Sequence, residues 1–360
     1  MKQVAEDAVQ VKAPIYEQVL SGAARRKAEP MNRLLVLAVF AISAIFIASG
    51  SSAEEIYRFD DSEIEKKPYH FGGYVEFKPV LYRLDQDSAS YKLRFYDDPQ
   101  GNALAEANGR VQMEGSYEKG IYRLYARTNT DLKYSDPAGS SERSVFYEAY
   151  GSLKPSQSLR IDAGKKTMKW GKGYAWTPVS FVDRPKDPDD PELAMEGFIV
   201  GAADYIRSFD GPLKTFSFTP VLLPVYNHIN DDFGNGDKLN FAGRFYFLLY
   251  DTDIDLLFMT GGSRPDRYGV DFSRNVTSSF EIHGEYAYVR NTRKAVPDSG
   301  GIARAIESDA QSCLAGIRHL TTFDLTTIVE YYHNGAGFSE DDRMRFFSAV
   351  DRAYDLYQAT

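Results

Sequence analysis

Period-two alternation of polar and apolar positions recurs through most of the chain from residue 72 to residue 333. In Ile121–Tyr134 one set of positions carries Arg123, Arg127, Asn129, Asp131 and Lys133, and the other carries Tyr122, Leu124, Ala126, Thr128, Leu132 and Tyr134. Side chains of a strand point alternately to its two faces, so such a segment is a strand with one polar and one apolar side. Arg110, Gln112, Glu114 and Ser116 oppose Val111, Met113 and Tyr117. Arg160 and Asp162 oppose Leu159, Ile161 and Ala163, while Glu281, His283 and Glu285 oppose Phe280, Ile282, Tyr286 and Tyr288. Asp253 and Asp255 alternate with Ile254, Leu256 and Phe258.

The pattern predicts fourteen strands, at 72–84, 90–96, 109–118, 120–134, 143–153, 157–166, 195–208, 213–222, 240–250, 252–261, 267–274, 278–290, 312–320 and 323–333. Tight turns at Glu118–Gly120, Lys154–Ser156 and Tyr250–Thr252 join several of them. Longer connectors fall at 97–108, 135–142, 167–194, 223–239 and 291–311. Past residue 340 the period changes. Phe346, Phe347, Val350, Tyr354 and Tyr357 recur at helical spacing, which predicts an amphipathic helix in 335–360.

Which side of such strands meets water is decided by where the charges can go. A carboxylate or guanidinium facing a dry core costs several kcal/mol unless it is paired. In Ile121–Tyr134 the apolar side is bracketed by tyrosines twelve positions apart. At about 3.3 Å per residue and a tilt near 40°, that spacing matches the roughly 25 Å apolar band of a membrane barrel with an aromatic girdle at each rim. The expected architecture is therefore all-β, an antiparallel up-and-down transmembrane β-barrel over 69–334, with Thr128 facing mid-bilayer lipid and the polar set facing a water-filled lumen.

Residues 31–53 supply the route. Met31, Asn32 and Arg33 precede an apolar run from Leu34 to Ala48, and the segment ends on Ser51, Ser52 and Ala53. A short basic start, an apolar stretch and small residues at the end make a cleavable signal peptide. Residues 1–30 read as a polar N-terminal extension, with Met31 a candidate true start, and 54–68 as a periplasmic N-terminal segment. The chain of 360 residues has a net charge of -9, one cysteine and 25 tyrosines. A single thiol excludes disulfide frameworks and cysteine metal clusters, and the acidic balance excludes a nucleic-acid partner.

The signal peptide, the aromatic-bracketed hairpins and the long connectors resemble those of Gram-negative outer-membrane porins. One stretch is more particular. It runs from Gly164 through Trp170, Gly171, Lys172, Gly173 and Tyr174 to Trp176, Thr177 and Pro178, then into a Pro/Asp-rich return. It is similar to the strand, WG-containing loop and Pro/Asp-rich return of several outer-membrane barrel families. The resemblance implies passive passage of small solutes, no catalysis and no cofactor. It implies outer-membrane lipid and the barrel assembly machinery as partners, with self-association into a homo-oligomer left open. Porin chains end on a strand with a final aromatic residue, whereas this one ends on a helical pattern; two to four closing strands are therefore expected beyond it, giving 16–18 in all.

Candidate lumen residues are Arg110, Glu114, Arg123, Arg127, Asp131, Arg160, Asp162, Glu281, His283 and Glu285. The connector 167–194 holds both tryptophans, and its candidate constriction residues are Lys169, Trp170, Lys172, Trp176, Arg184, Asp187, Asp189, Asp190 and Glu192. Opposed charges across a narrow pore set size and charge selection; the same loop lying outside would instead place its tryptophans at headgroup level. Asp187, Asp189, Asp190 and Glu192, and separately Asp231, Asp232, Asn235 and Asp237, have oxygen-rich spacings, but hard cations need six or more converging oxygens, so solvated acids are expected and no metal. His283 lies between Glu281 and Glu285 with no GxSxG or zinc-protease motif in the chain, so a pore-lining role is expected ahead of a hydrolase. A sheath or export partner for another envelope component is the second reading.

Overall fold

The computed structural model describes residues 67–135, 139–188, 190–191, 193–297 and 303–359. The expected extension, signal peptide and most of the 54–68 segment lie outside the described residues, as do Asp189 and Glu192. Thirteen strands form one antiparallel sheet in strict chain order, β1 to β13. They are β1 (Tyr69–Arg83), β2 (Ala103–Lys119), β3 (Tyr122–Ser135), β4 (Gly139–Ser156), β5 (Leu159–Lys166), β6 (Phe198–Ser208), β7 (Leu213–Val225), β8 (Lys238–Leu249), β9 (Thr252–Thr260), β10 (Arg267–Thr277), β11 (Phe280–Pro297), β12 (Ala303–Leu320) and β13 (Thr326–Asn334). Among the described residues two helices complete the order, α1 (Ala89–Arg94) between β1 and β2 and α2 (Glu340–Gln358) after β13.

The described residues divide into two compact units, one running up to Gln112 with those of 129–144, the other Met113–Thr128 with those from Val145 onward. In the first unit, the expected strand at 90–96 is replaced by α1. Tyr91, Leu93 and Phe95 alternate as a strand would, but Ser88 caps the segment by accepting the Tyr91 N–H at 3.2 Å. Tyr91 and Phe95, one helical turn apart, then pack with ring centroids 5.1 Å apart and planes tilted by 51°. A good N-cap and an i,i+4 aromatic pair outweigh a short alternating run. The polar side of β2 and β3 carries ion pairs: Arg110 Nε donates to Asp131 at 2.7 Å, and Lys133 meets Glu106 at 2.8 Å.

Four of the expected connectors are shorter than the pattern indicates, 223–239 among them, since β7 runs to Val225 and β8 starts at Lys238. Strand β2 begins at Ala103, β4 at Gly139, and β11 and β12 run on to Pro297 and from Ala303. Cross-strand pairing carries these extensions: Thr292 to Pro297 stay in register with Ser308 to Ala303 although a bulge interrupts the ladder after Val289. Small and charged residues there hide the alternation from a sequence reading.

In the second unit, turns of a few residues follow β4, β6, β8, β10 and β12, and the longer connections at 167–197, 226–237 and 261–266 lie at the opposite ends of the strands. Tyr250 and Asp251 both have positive φ, 49° and 56°, the backbone of a two-residue hairpin turn that matches strand twist. Register places Asp255, Asp271 and Glu285 side by side across β9, β10 and β11. Asp253, Ser273, His283, Gly316 and Glu330 form the next row across β9 to β13. Leu256, Val270 and Tyr286 lie on the opposite face, and all are exposed.

The polar-facing side is not polar throughout. Val200, Ala202, Val221, Leu223, Val225, Ala242, Leu257, Met259 and Ala287 are buried on it and join Trp170, Val179, Phe181, Val182 and Phe233 from the connections in one apolar cluster. The polar sets of the strands are expected to face a water-filled lumen, but toward the long-connection end the same face over β6 to β11 is a buried apolar core. Burying each large side chain in it contributes about 1.5–3 kcal/mol. Gly269 makes the fit possible, since a Cβ there would lie 2.9 Å from Val179 Cγ1 and 3.0 Å from Phe181 Cζ. On α2, Val350 is buried and Phe346 and Tyr354 are half-buried, while Met344, Phe347, Leu356 and Tyr357 are exposed.

Candidate functional site

The connection 167–197 lies on the polar-facing side of the sheet and is held there mostly through its own backbone. Glu285 of β11 accepts the N–H groups of Lys172 and Gly173, each at 2.6 Å, and of Val179 at 3.2 Å. Glu330 of β13 accepts Tyr174 N–H at 2.6 Å and Ala175 N–H at 2.9 Å. Successive N–H groups converging on one anion form a nest, and hydrogen bonds to an ionised acceptor are about twice as strong as neutral ones. The Trp-Gly-Lys-Gly sequence is what allows it. Gly171 has φ of 100°, and a Cβ there would meet Glu285 Oε1 at 2.8 Å; at Gly173 a Cβ would lie 1.9 Å from the Trp176 carbonyl oxygen. Only glycine permits both that backbone and that approach.

Side chains add to the hold. Lys172 Nζ meets Asp255 at 2.8 Å. Lys186 Nζ donates to the carbonyls of Gly173 at 2.8 Å and Tyr174 at 3.0 Å, and burial draws its ammonium below the ordinary lysine range. Trp176 stacks on Tyr332 at 5.7 Å, and Trp170 is buried with 2% exposure. The base of the connection is tied by Asp183, which accepts Met168 N–H at 2.6 Å, Trp170 N–H at 3.1 Å and the Ser180 hydroxyl at 3.2 Å.

Burial nevertheless pushes the Asp183 carboxyl above the usual carboxylate range, outweighing those donors. The folded state then holds this proton more tightly than the unfolded chain, so the contribution is full below about pH 4 and is lost as pH rises through the raised value. Urea unfolding of Asp183→Asn, followed by tryptophan emission, is expected to decline less with rising pH from about pH 4 upward than the parent does. Parallel curves for the two proteins would refute this.

The candidate lumen residues share the polar-facing side in both units. Arg110 and Asp131 are paired in the first unit. In the second, Arg127 joins Glu114 at 2.8 Å and Glu148 at 3.3 Å, and Arg123 lies over the Tyr125 ring at 5.8 Å. Arg160 approaches Asp162 at 3.4 Å and Asp204 at 3.6 Å, and Asp162 is also bound by Lys166 and Ser152. His283, 2% exposed, has Nε2 2.9 Å from Glu330 and Nδ1 3.5 Å from Glu281, with the Tyr174 ring 5.3 Å away. Its ring lies where a Cβ on Gly316 would be, at 2.1 Å from Nε2.

Of the candidate constriction residues, Trp170, Lys172 and Trp176 are drawn into the anchored part. Arg184 pairs with Asp232 and lies over the Phe198 ring at 4.4 Å, while Lys169 is exposed with φ of 56°. Asp190 donates its N–H to the Asp187 carbonyl at 3.1 Å in a local turn. Among the described residues no three His, Cys, Asp or Glu side chains gather as a metal site would require. Glu330, Asp271, Glu148, Lys186 and Asp183 are the residues that sequence reasoning did not select.

The class defined by this topology is an all-β, antiparallel up-and-down sheet. Among solved structures the chain is similar to OmpF of Salmonella typhi in complex with daunomycin, at 11% identity over 74% of this chain and 78% of that one, with a TM-score of 0.46. It is also similar to a variant of the Rh. blastica porin, at 10% identity over 75% and 96% of the two chains and a TM-score of 0.33. The FrpB iron transporter from Neisseria meningitidis matches at 8% identity and a TM-score of 0.37, with 77% of this chain spanning 50% of that one. No family model matches the sequence. No curated protein matches it either.

Proposed function

We propose that the protein is a porin-like outer-membrane channel for small solutes, with its interior narrowed by the connection 167–197. The observation that carries this reading is the anchoring of Lys172, Gly173, Tyr174, Ala175 and Val179 to Glu285 and Glu330. The exposed face of Leu256, Tyr268, Val270 and Phe272 supplies the lipid-facing surface that such a barrel requires. Passage is diffusive along paired charges such as Arg127 with Glu148 and Arg160 with Asp204, without a covalent step.

Deletion of Thr177 to Pro191 is expected to raise single-channel conductance in a planar bilayer, and Asp187→Asn with Asp190→Asn to move ion preference toward anions. Unchanged conductance and reversal potential would place the connection outside the conducting route. The dry core over β6 to β11 favours a second reading, a barrel that sheathes or scaffolds another envelope component. A correctly folded protein that gives no channel in either form would support that reading.

A further inference from the structure

Asp255 shares in the anchoring of the connection through Lys172, but that ion pair leaves Asp271 beside it unaccounted for. The two are direct cross-strand partners on β9 and β10, exposed by 1% and 0%. Like charges directly opposite each other destabilise a sheet, and buried carboxylates require a compensating cation or a proton. The cation present is the Lys172 ammonium, 2.8 Å from Asp255 Oδ2, 3.9 Å from Asp271 Oδ1 and 5.6 Å from the centre of the Tyr246 ring. Its hold is incomplete. Neither oxygen of Asp271, nor Oδ1 of Asp255, has a hydrogen-bond partner among the described residues. The Arg244 guanidinium stops 3.8 Å from Asp255.

We propose that Asp255, Asp271 and Tyr246 form a binding site for the alkylammonium group of a primary amine, occupied in this structure by the chain's own Lys172. An ammonium offers three donors on one small cation, which suits two facing carboxylates with free lone pairs, and an aromatic ring beside it adds cation–π attraction. Two carboxylates fall short of the six to eight oxygens that a calcium ion takes. Leu257, two residues from Asp255 on the same face of β9, is buried and offers an apolar wall to an alkyl stem. Lys172 reaches the site from a tongue whose other bonds run through the backbone, so its side chain can leave without undoing them. The side chains of Lys172 and Arg244, exposed by 21% and 27%, mark the side open to an incoming amine. A tethered occupant competes at an effective concentration on the order of millimolar, so a free amine binds weakly while Lys172 is present and more tightly once it is gone.

The test uses the full chain folded in detergent, with n-butylammonium chloride as probe and tetramethylammonium chloride at equal ionic strength as control. Tetramethylammonium carries the charge but donates no hydrogen bond. Lys172→Ala is expected to unfold at lower temperature than the parent and to be restored saturably by n-butylammonium alone. The parent should respond only at about tenfold or more higher concentration. If Lys172→Ala does not fold by itself, refolding yield replaces the midpoint: recovery with n-butylammonium and not with the control supports the site, and recovery with neither overturns it. Equal effects of the two cations would also overturn it, as would full restoration of the Lys172→Ala, Asp255→Asn, Asp271→Asn triple variant. These are equilibrium measurements without a bilayer. Their failure leaves the channel reading standing, and a silent bilayer leaves the site standing.

Discussion

Replacing Glu285 with alanine is expected to release the tongue from Trp170 to Val179 and to be the most damaging single change in the anchored connection. Three N–H groups lose their acceptor at once, and each buried orphaned donor costs about 1–3 kcal/mol. The summed loss of about 3–9 kcal/mol is a large share of the stability of an ordinary domain. Lys186 would also lose a carboxylate whose charge favours its ammonium. Glu285→Gln keeps one acceptor oxygen and should cost less. The readout is built into the chain, because its only two tryptophans both lie in this connection. Trp170, buried in the parent, should shift its emission to longer wavelength in Glu285→Ala, while far-ultraviolet circular dichroism retains the strand signal. An unchanged emission maximum would show that the tongue is held by its apolar contacts and that the carboxylate nest is incidental.

Leu256→Arg is expected to be nearly as costly, by a different route. Leu256 sits between Phe245 and Val270 on the face opposite the acidic row, with 47% of its surface exposed. On the proposed lipid-facing surface an arginine costs about 2–4 kcal/mol near the midplane. The contrasting change is Arg127→Leu, which removes a cation from two partners: Glu114, and Glu148, whose side chain is 8% exposed. The leucine is compatible with a strand, but an uncompensated carboxylate remains behind. Refolding titrations into lipid vesicles and into detergent micelles separate the two. The Leu256→Arg loss should depend on bilayer thickness, and the Arg127→Leu loss should not. A Leu256→Arg protein as stable in vesicles as the parent would refute the lipid-facing assignment of that face.

Most of the sheet was legible because its alternation is local. Ile121–Tyr134 and Ser279–Arg290 place their charges on one side without help from any other segment, and the structure keeps them there. The segment at 90–96 misleads for the same reason: three alternating apolar residues fit a strand, and the deciding interactions are a cap at Ser88 and the Tyr91–Phe95 contact. The dry core was not legible. Ile199 to Ala202 and Val221 to Leu223 are apolar on both faces, so nothing in the pattern marks which side is inward. Within the site, Trp170, Lys172 and Glu285 were singled out because they stand in a glycine-rich run or among charges. Glu330 was missed, although a lone carboxylate in the otherwise uncharged run Ile328 to Tyr332 is itself a signal. Its partners, Tyr174 and Ala175, precede it by 156 and 155 residues, and no local pattern carries such a relation.

Those separations also set an order of events during assembly. Each hairpin of the sheet closes between neighbours in the chain, whereas Lys172 and Gly173 must wait for a residue 113 and 112 positions further on. Closing long loops is the slow step in folding, since their entropy is lost before distant contacts return anything. The tongue therefore settles last, after β11 and β13 are in place, and until then the faces of β6 to β11 that it later covers stay open to solvent. A chain stalled before β13 would carry an exposed apolar surface of Val200, Val221, Leu223 and Met259 and would be prone to associate with other chains through it.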